Sequence, residues 1–168
     1  ATIEKYFGDW KPNPDIKYLE YEPEQVITTP VQKDVYGLDA EFVMMGWRVP
    51  GSNDYLRSEV GDIVGDILYN GQAGLADLNL IQAQKVNGFY GFNYTRPDYG
   101  EFLLVGYPRE GQTLDQVRDL ILEQVAKLRS GDFDESLIQS TLNNYKLSNM
   151  RQLENNDDRA MSFVESFI

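Results

Sequence analysis

Apolar and polar positions alternate along this chain in two periods, and the switch between them marks out its elements. From Gly88 to Pro108 the period is two. Tyr90, Phe92 and Tyr94 share one face of a first strand, and in a second strand Phe102, Leu104 and Gly106 alternate with Leu103, Val105 and Tyr107. Pro97 suits the second position of a type I turn between them, with Asp98 after it and Gly100 read as the glycine that closes the turn. The segment Asp39 to Val49 is apolar on both faces, Phe42, Met44 and Gly46 against Val43, Met45 and Trp47. It reads as a strand covered on both sides, or as one half-covered with Met and Gly outside. Pro30 to Tyr36 reads as a short edge strand, where a proline is tolerated at the start.

Elsewhere the period is helical. Leu56, Val60, Ile63, Val64, Ile67 and Leu68 form one stripe, begun by a cap at Ser52 or Asn53 and ended by Asn70-Gly71. Gly61 and Gly65 lie beside it and predict a close approach by another backbone, since each weakens a helix by about 1 kcal/mol relative to Ala. Leu75 to Val86 predicts a second helix. Thr113 and Gln116 form a capping box ahead of Leu114, Val117, Leu120, Ile121, Val125 and Leu128. Asp132 and Glu135 box a last long helix with an inner face of Leu137 or Ile138, Leu142, Tyr145 and Leu153, interrupted at Asn155-Asn156-Asp157-Asp158. At the front, Ile3, Tyr6, Phe7 and Trp10 are helically spaced up to Lys11-Pro12. The expected organisation is the end of a preceding helix plus a connector over 1–29, then a domain over 30–168. Its class is α+β, two layers, a mainly antiparallel sheet with helices on one face.

Composition then narrows the chemistry. The 168 residues suit one domain with a real core. Lys and Arg number 15 against 27 Asp and Glu, a formal charge of -12, which argues against nucleic acid and against an anionic membrane surface. There is no cysteine and no histidine. Within this chain that excludes thiolate chemistry, a Ser-His-Asp relay and a His-ligated zinc. Asp62/Asp66 and Glu20/Glu22 are carboxylate pairs without a feature that splits their pKa values. Asn79, Gln82 and Gln84 form a polar helix face able to hydrogen-bond an extended peptide, and Arg96 is a cation beside the turn. No apolar run reaches the length of a membrane span. The abrupt helical opening reads as a cut from a longer protein.

The order and wording of the pieces resemble the pitrilysin/insulinase family of zinc peptidases, which includes the mitochondrial processing peptidase. The resemblance runs through Ile3-Glu4-Lys5-Tyr6-Phe7-Gly8-Asp9-Trp10, the Pro-rich connector, the strand Glu41 to Val49, the helix Tyr55 to Tyr69, the Gly74 to Val86 segment, the Gly88 hairpin and the helices from Thr113 on. It implies a LuxS/mitochondrial-processing-peptidase-like half-domain. In that family zinc is held in the other half by an H-x-x-E-H motif, which nothing here matches. The resemblance therefore implies a non-catalytic C-terminal half with no catalytic or metal residues of its own. It would enclose a peptide chamber and help position substrate, with zinc in the parent and the zinc-bearing half and peptide as partners. The alternative it allows is a structural, subunit-interaction domain of the same fold. Some members hold substrate through an arginine and a tyrosine in the helix-strand segment. Tyr90 stands at the tyrosine, while Leu78 to Val86 holds no arginine and Lys85 is its only cation. Tyr90, Tyr94 and Lys85 are thus the candidate substrate-binding residues.

Overall fold

A computed structural model describes residues 2–17 and 19–166. The chain divides into two compact units, one ending at Gly37 and the other beginning at Leu38.

The first unit holds helix α1, Thr2–Phe7. It stops earlier than the spacing predicts, at Gly8, whose N–H donates to Glu4 O at 2.9 Å. Trp10 folds back so that its ring meets that of Phe7 edge-on, 5.0 Å between centroids. The expected edge strand from Pro30 to Tyr36 is not formed; those residues run as exposed, irregular chain. A strand exists only through ladder partners, and nothing within this unit supplies them.

The second unit is a helix-on-sheet sandwich. Strand β1 is Val43–Pro50, followed by helix α2, Tyr55–Leu68, and a π-helical segment, Asp77–Gln82. Strands β2, Gly88–Thr95, and β3, Tyr99–Tyr107, form the hairpin. Helices α3, Leu114–Ser130, α4, Ser136–Gln152, and α5, Asn156–Glu165, complete it. The three-stranded sheet has the order β1-β3-β2, antiparallel throughout, and this is the α+β class expected. The turn closes one residue earlier than the sequence suggests. Thr95 pairs with Gly100 and Arg96 N donates to Tyr99 O at 2.9 Å, so Gly100 is a strand residue, not a turn residue. A Cβ at Gly100 would stand 2.9 Å from Val49 Cγ2, which is why the centre of the sheet keeps a glycine there.

Register decides which residues face the helices. Val43, Met45, Trp47 and Val49 on β1 align with Gly106, Leu104, Phe102 and Gly100 on β3, and these with Phe89, Gly91, Asn93 and Thr95 on β2. The helices cover this face. Its core joins Phe89 and Leu104 to Leu68, Leu75, Ala76, Leu80, Val86, Val117 and Ile121. Gly106 lets α3 descend onto β3: a Cβ there would lie 2.6 Å from Val117 Cγ1 and 2.7 Å from Ile121 Cδ1. Gly61 and Gly65 do face the sheet, but what approaches them is side chain, Asn93 and Phe102, and not a backbone.

The helix ends refine the sequence reading. Asp54, not Ser52 or Asn53, caps α2, its carboxylate accepting from Arg57 N. The Thr113/Gln116 capping box forms as expected. Asp134, not the Asp132/Glu135 pair, accepts from Ser136 N at 2.8 Å at the start of α4. Buried Thr141 joins Leu137 on the inner side of α4, while Leu153 at its end is exposed. The expected helix from Leu75 to Val86 widens instead. Ala83 N donates to Leu78 O and Lys85 N to Leu80 O, both five residues back. The wider turn buries Leu75, Ala76, Asp77 and Leu80 together, more than one α-helical stripe holds.

Candidate functional site

Among the described residues, the helix contacts of the sheet lie on the face just described, and the opposite face presents side chains to solvent. The same register that places Leu104 inward places a ladder of side chains outward, in rows across three strands. Tyr90, Val105 and Met44 form one row, Phe92, Leu103 and Gly46 the next, and Tyr94, Glu101 and Arg48 the third. Tyr107 stands beyond the first row, its ring 5.7 Å from that of Phe42. Tyr90, Phe92, Tyr94 and Met44 are each about half exposed. Of the two structures that sequence left open for β1, the half-covered one is formed, with Met44 and Gly46 outside.

Tyr90 is held by its neighbours. Its ring meets those of Tyr107 at 6.0 Å and Tyr69 at 6.2 Å, both edge-on, the geometry aromatic quadrupoles favour. Tyr69, at the end of α2, also packs edge-on against Phe89. Burial, and then the nearby Asp77 and Tyr90, push the Tyr69 phenol above its ordinary pKa, so it stays protonated. Asp77 is itself buried and accepts from Asn70 N and Gly74 N, both at 3.0 Å, fixing the loop behind this cluster.

Tyr94 shares the face with Tyr90, two rows away, and the Arg96 guanidinium lies 4.8 Å from the centre of its ring. A cation held over a ring is a packed group, so Arg96 is built into the end of the hairpin. Lys85 is exposed but lies off the sheet, in the loop before β2. That loop is pinned: Gln84 adopts a left-handed φ of 53°, Arg109 Nη1 donates to Gln84 O, and Gln112 Nε2 donates to Lys85 O at 3.0 Å. The structure thus gathers Tyr90 and Tyr94 on one face, with Lys85 presented from the loop leading into it.

Two residues of the polar helix face predicted at 79–84 hydrogen-bond within the unit, while Gln82 and Gln84 stay exposed. Asn79 Nδ2 donates to Gln124 Oε1 at 2.8 Å and Gln82 Nε2 to Gln72 O at 2.9 Å. Asp62 accepts from Asn93 Nδ2 at 2.8 Å. Burial, and then the charge of Asp62, raise the Asp66 pKa, and Asp62 is turned to Asn93 on the helix-covered face. Sequence reasoning did not single out Met44, Leu103 and Val105 as site residues. Their signal was the two-residue alternation of β1 and β3, which becomes a surface only once the strand order is known.

The donor set for a metal is poor. The sequence holds no histidine or cysteine, and among the described residues no group of three His, Cys, Asp or Glu side chains converges to hold an ion. These residues do not fit a zinc site. Among the described residues no helix is long and apolar enough to cross a membrane.

No curated protein matches the sequence. Among solved structures, a protease from Helicobacter pylori superposes with a TM-score of 0.68 at 19% identity, over 75% of this chain and 30% of that one. A structure from Bordetella parapertussis described as "the Inactive Peptidase Domain of a Putative Zinc Protease" superposes with a TM-score of 0.63 at 16% identity, over 75% of this chain and 68% of that one. This chain therefore spans under a third of the H. pylori protease, and at these identities the likeness is one of fold. The family model described as "Peptidase M16 inactive domain" matches residues 1–145. With most of its length matched, the chain belongs to the M16 peptidase family, as that family's inactive domain.

Proposed function

We propose that this chain is the non-catalytic half of a zinc metallopeptidase, that its uncovered sheet face walls the peptide chamber, and that Tyr90 contacts the substrate. The hydrolytic centre, with its zinc, belongs to another segment, the zinc-bearing half. What this chain contributes is position. A rigid sheet, anchored from behind by α2 and α3, presents a fixed row of side chains, and holding a peptide still lowers the entropic part of the barrier.

The observation that carries this reading is the asymmetry of the sheet. One face carries the helix-covered core, with Trp47 left 39% exposed at its β1 edge, and the other presents Tyr90, Phe92, Tyr94 and Met44 to solvent. Contiguous apolar surface of this kind marks a binding face. Tyr90 is its best-held aromatic, braced by two rings.

The test separates the two halves. This chain alone, washed with chelator, is expected to retain no stoichiometric zinc and to cleave no peptide. Mixing it with the separately produced zinc-bearing half is expected to restore cleavage. Stoichiometric zinc in the isolated chain, or full peptidase activity of the other half without it, would overturn the proposal. The second of these outcomes would favour a subunit-interaction role.

A further inference from the structure

The hairpin of β2 and β3 is closed at one end by its turn, where Arg96 N donates to Tyr99 O at 2.9 Å. Its other end, where Gly88 pairs with Tyr107, is open. Tyr90 lies two residues in from that end, and Tyr107 supplies one of the two rings that brace it. Paired segments fray from their free ends, so whatever fastens this end decides how firmly Tyr90 is held.

A clasp spans the open end. Asn87 N donates to Tyr107 O at 2.9 Å. Just past Tyr107, Arg109 reaches back across the gap and donates through Nη1 to Gln84 O, and Gln112 Nε2 donates to Lys85 O at 3.0 Å. The two clasp residues lock each other: Arg109 N donates to Gln112 Oε1 and Gln112 N to Arg109 O, both at 3.0 Å. From the other side, Gln84 N donates to Ile81 O at 2.9 Å and Lys85 N to Leu80 O at 2.8 Å. Every backbone donor and acceptor of Gln84 and Lys85 is thus taken by protein, although both residues are exposed and water could serve them.

Water would impose no conformation on this loop, and the conformation is unusual. Among the described residues Gln84 is the one non-glycine with a positive φ, 53°. A glutamine adopts that form at a cost, and it persists only where the surroundings over-determine it. Arg109 and Gln112 do so.

We infer that Arg109 is a positioning residue for the peptide-facing surface. Through Gln84 O, and together with Gln112, it holds the entry to β2 in its left-handed form and so fixes the Tyr90 ring against those of Tyr107 and Tyr69. This role rests on the peptide-facing reading above and adds to it the residue that sets its geometry. Arg109 acts through the loop, without touching peptide.

The test uses the full-length peptidase, with kinetics read well below every variant's unfolding midpoint. Arg109→Met keeps the stem and removes the donors. It is expected to lower kcat/KM about fivefold in the wild-type background and by less than about twofold in Tyr90→Ala, where nothing is left to position. Gln84→Gly lets the loop keep its left-handed turn without the clasp, so adding it to Arg109→Met is expected to return kcat/KM to within about twofold of the wild-type value. Arg109 is exposed, so its substitution does not enter the core. Should Arg109→Met still fail to fold, Gln112→Leu removes the second donor and is read the same way. Equal losses from Arg109→Met in both backgrounds, no recovery with Gln84→Gly, or no loss from Arg109→Met where Tyr90→Ala is impaired would each overturn the inference and leave the peptide-facing reading in place. No loss from Arg109→Met or from Tyr90→Ala would overturn both.

Discussion

The descent of α3 onto the sheet depends on one missing side chain, and Gly106→Ala tests it. A methyl at Gly106 would lie 2.6 Å from Val117 Cγ1 and 2.7 Å from Ile121 Cδ1, both fully buried. Carbon atoms pack at about 3.5–4.0 Å, so each contact is about 1 Å too short. Val117 is β-branched in a helix, with one strongly preferred χ1 rotamer, so its Cγ1 does not swing away at low cost, whereas Ile121 Cδ1 can turn about χ2 only within a fully buried site. The helix must lift, which loosens the core around Leu80 and Leu104. Overpacking of this kind costs about 1–3 kcal/mol. Taking the middle value of about 2 kcal/mol, and about 3–4 °C per kcal/mol for a unit of this size, the melting temperature falls by about 7 °C. Urea unfolding followed by circular dichroism measures it, with the m-value unchanged. Val117→Ala should relieve the clash, so that Gly106→Ala and Val117→Ala together cost at least about 1 kcal/mol less than the sum of the single changes. A Gly106→Ala effect within about 0.5 kcal/mol, or strict additivity, would refute the packing argument.

Two further outcomes follow from groups away from the face. Tyr145 donates its hydroxyl to Glu59 Oε2 at 2.7 Å across α2 and α4, and this bond, before burial and the carboxylate's charge, pushes its pKa up to about 12. Because the folded pKa exceeds the unfolded value, the stabilisation is whole below about pH 10 and is lost as pH rises to about 12. Unfolding free energies across that window should fall in the wild type and fall less steeply in Tyr145→Phe, where the raised pKa of Tyr69 still contributes; identical slopes would show that the bond contributes nothing. Gln124 is completely buried and accepts from Asn79, so Gln124→Leu should cost about 1–2 kcal/mol by stripping Asn79 of its acceptor. Asn79→Ala in the same background should then cost almost nothing more, and a full additional loss in urea unfolding would show the two to be independent.

The hairpin and α3 were legible because local rules agree with the tertiary structure there. Period-two aromatics meet a proline turn, and Thr113 and Gln116 box a helix whose stripe includes Val117 and Ile121. Reading failed where tertiary contacts decide. Leu56 and Val60 lie on the α2 stripe yet stay exposed, because only the second half of that helix is sealed by the core. Gln124, Thr141 and Asp77 are polar by sequence and buried by structure. Gln124 has a partner that no local pattern names, an asparagine 45 residues away, and Asp77 joins the nearby Gly74 amide to that of Asn70 seven residues back. The widened turn at Asp77–Gln82 has no signature in its residues. Pro30 to Tyr36 has strand composition but no ladder within its unit. Of the candidate site, Tyr90 and Tyr94 could be placed on one face from spacing alone. Joining Met44 and Val105 to them required the order β1-β3-β2, with the last strand of the sequence in the middle.

One face of the sheet holds the fold, and the other is proposed to meet peptide. The most direct test is Tyr90→Ala and Tyr90→Phe in the full-length peptidase, with kinetics and unfolding measured side by side. Tyr90→Ala removes two edge-on ring contacts, together about 1–3 kcal/mol, so its kinetics are read well below its lowered unfolding midpoint. It should lower kcat/KM about tenfold, a loss of about 1.4 kcal/mol of transition-state binding. Tyr90→Phe, which keeps the ring and its edge-on contacts, should retain most of the wild-type value. Unchanged kcat/KM in both variants would contradict the account and leave the strand a purely structural role.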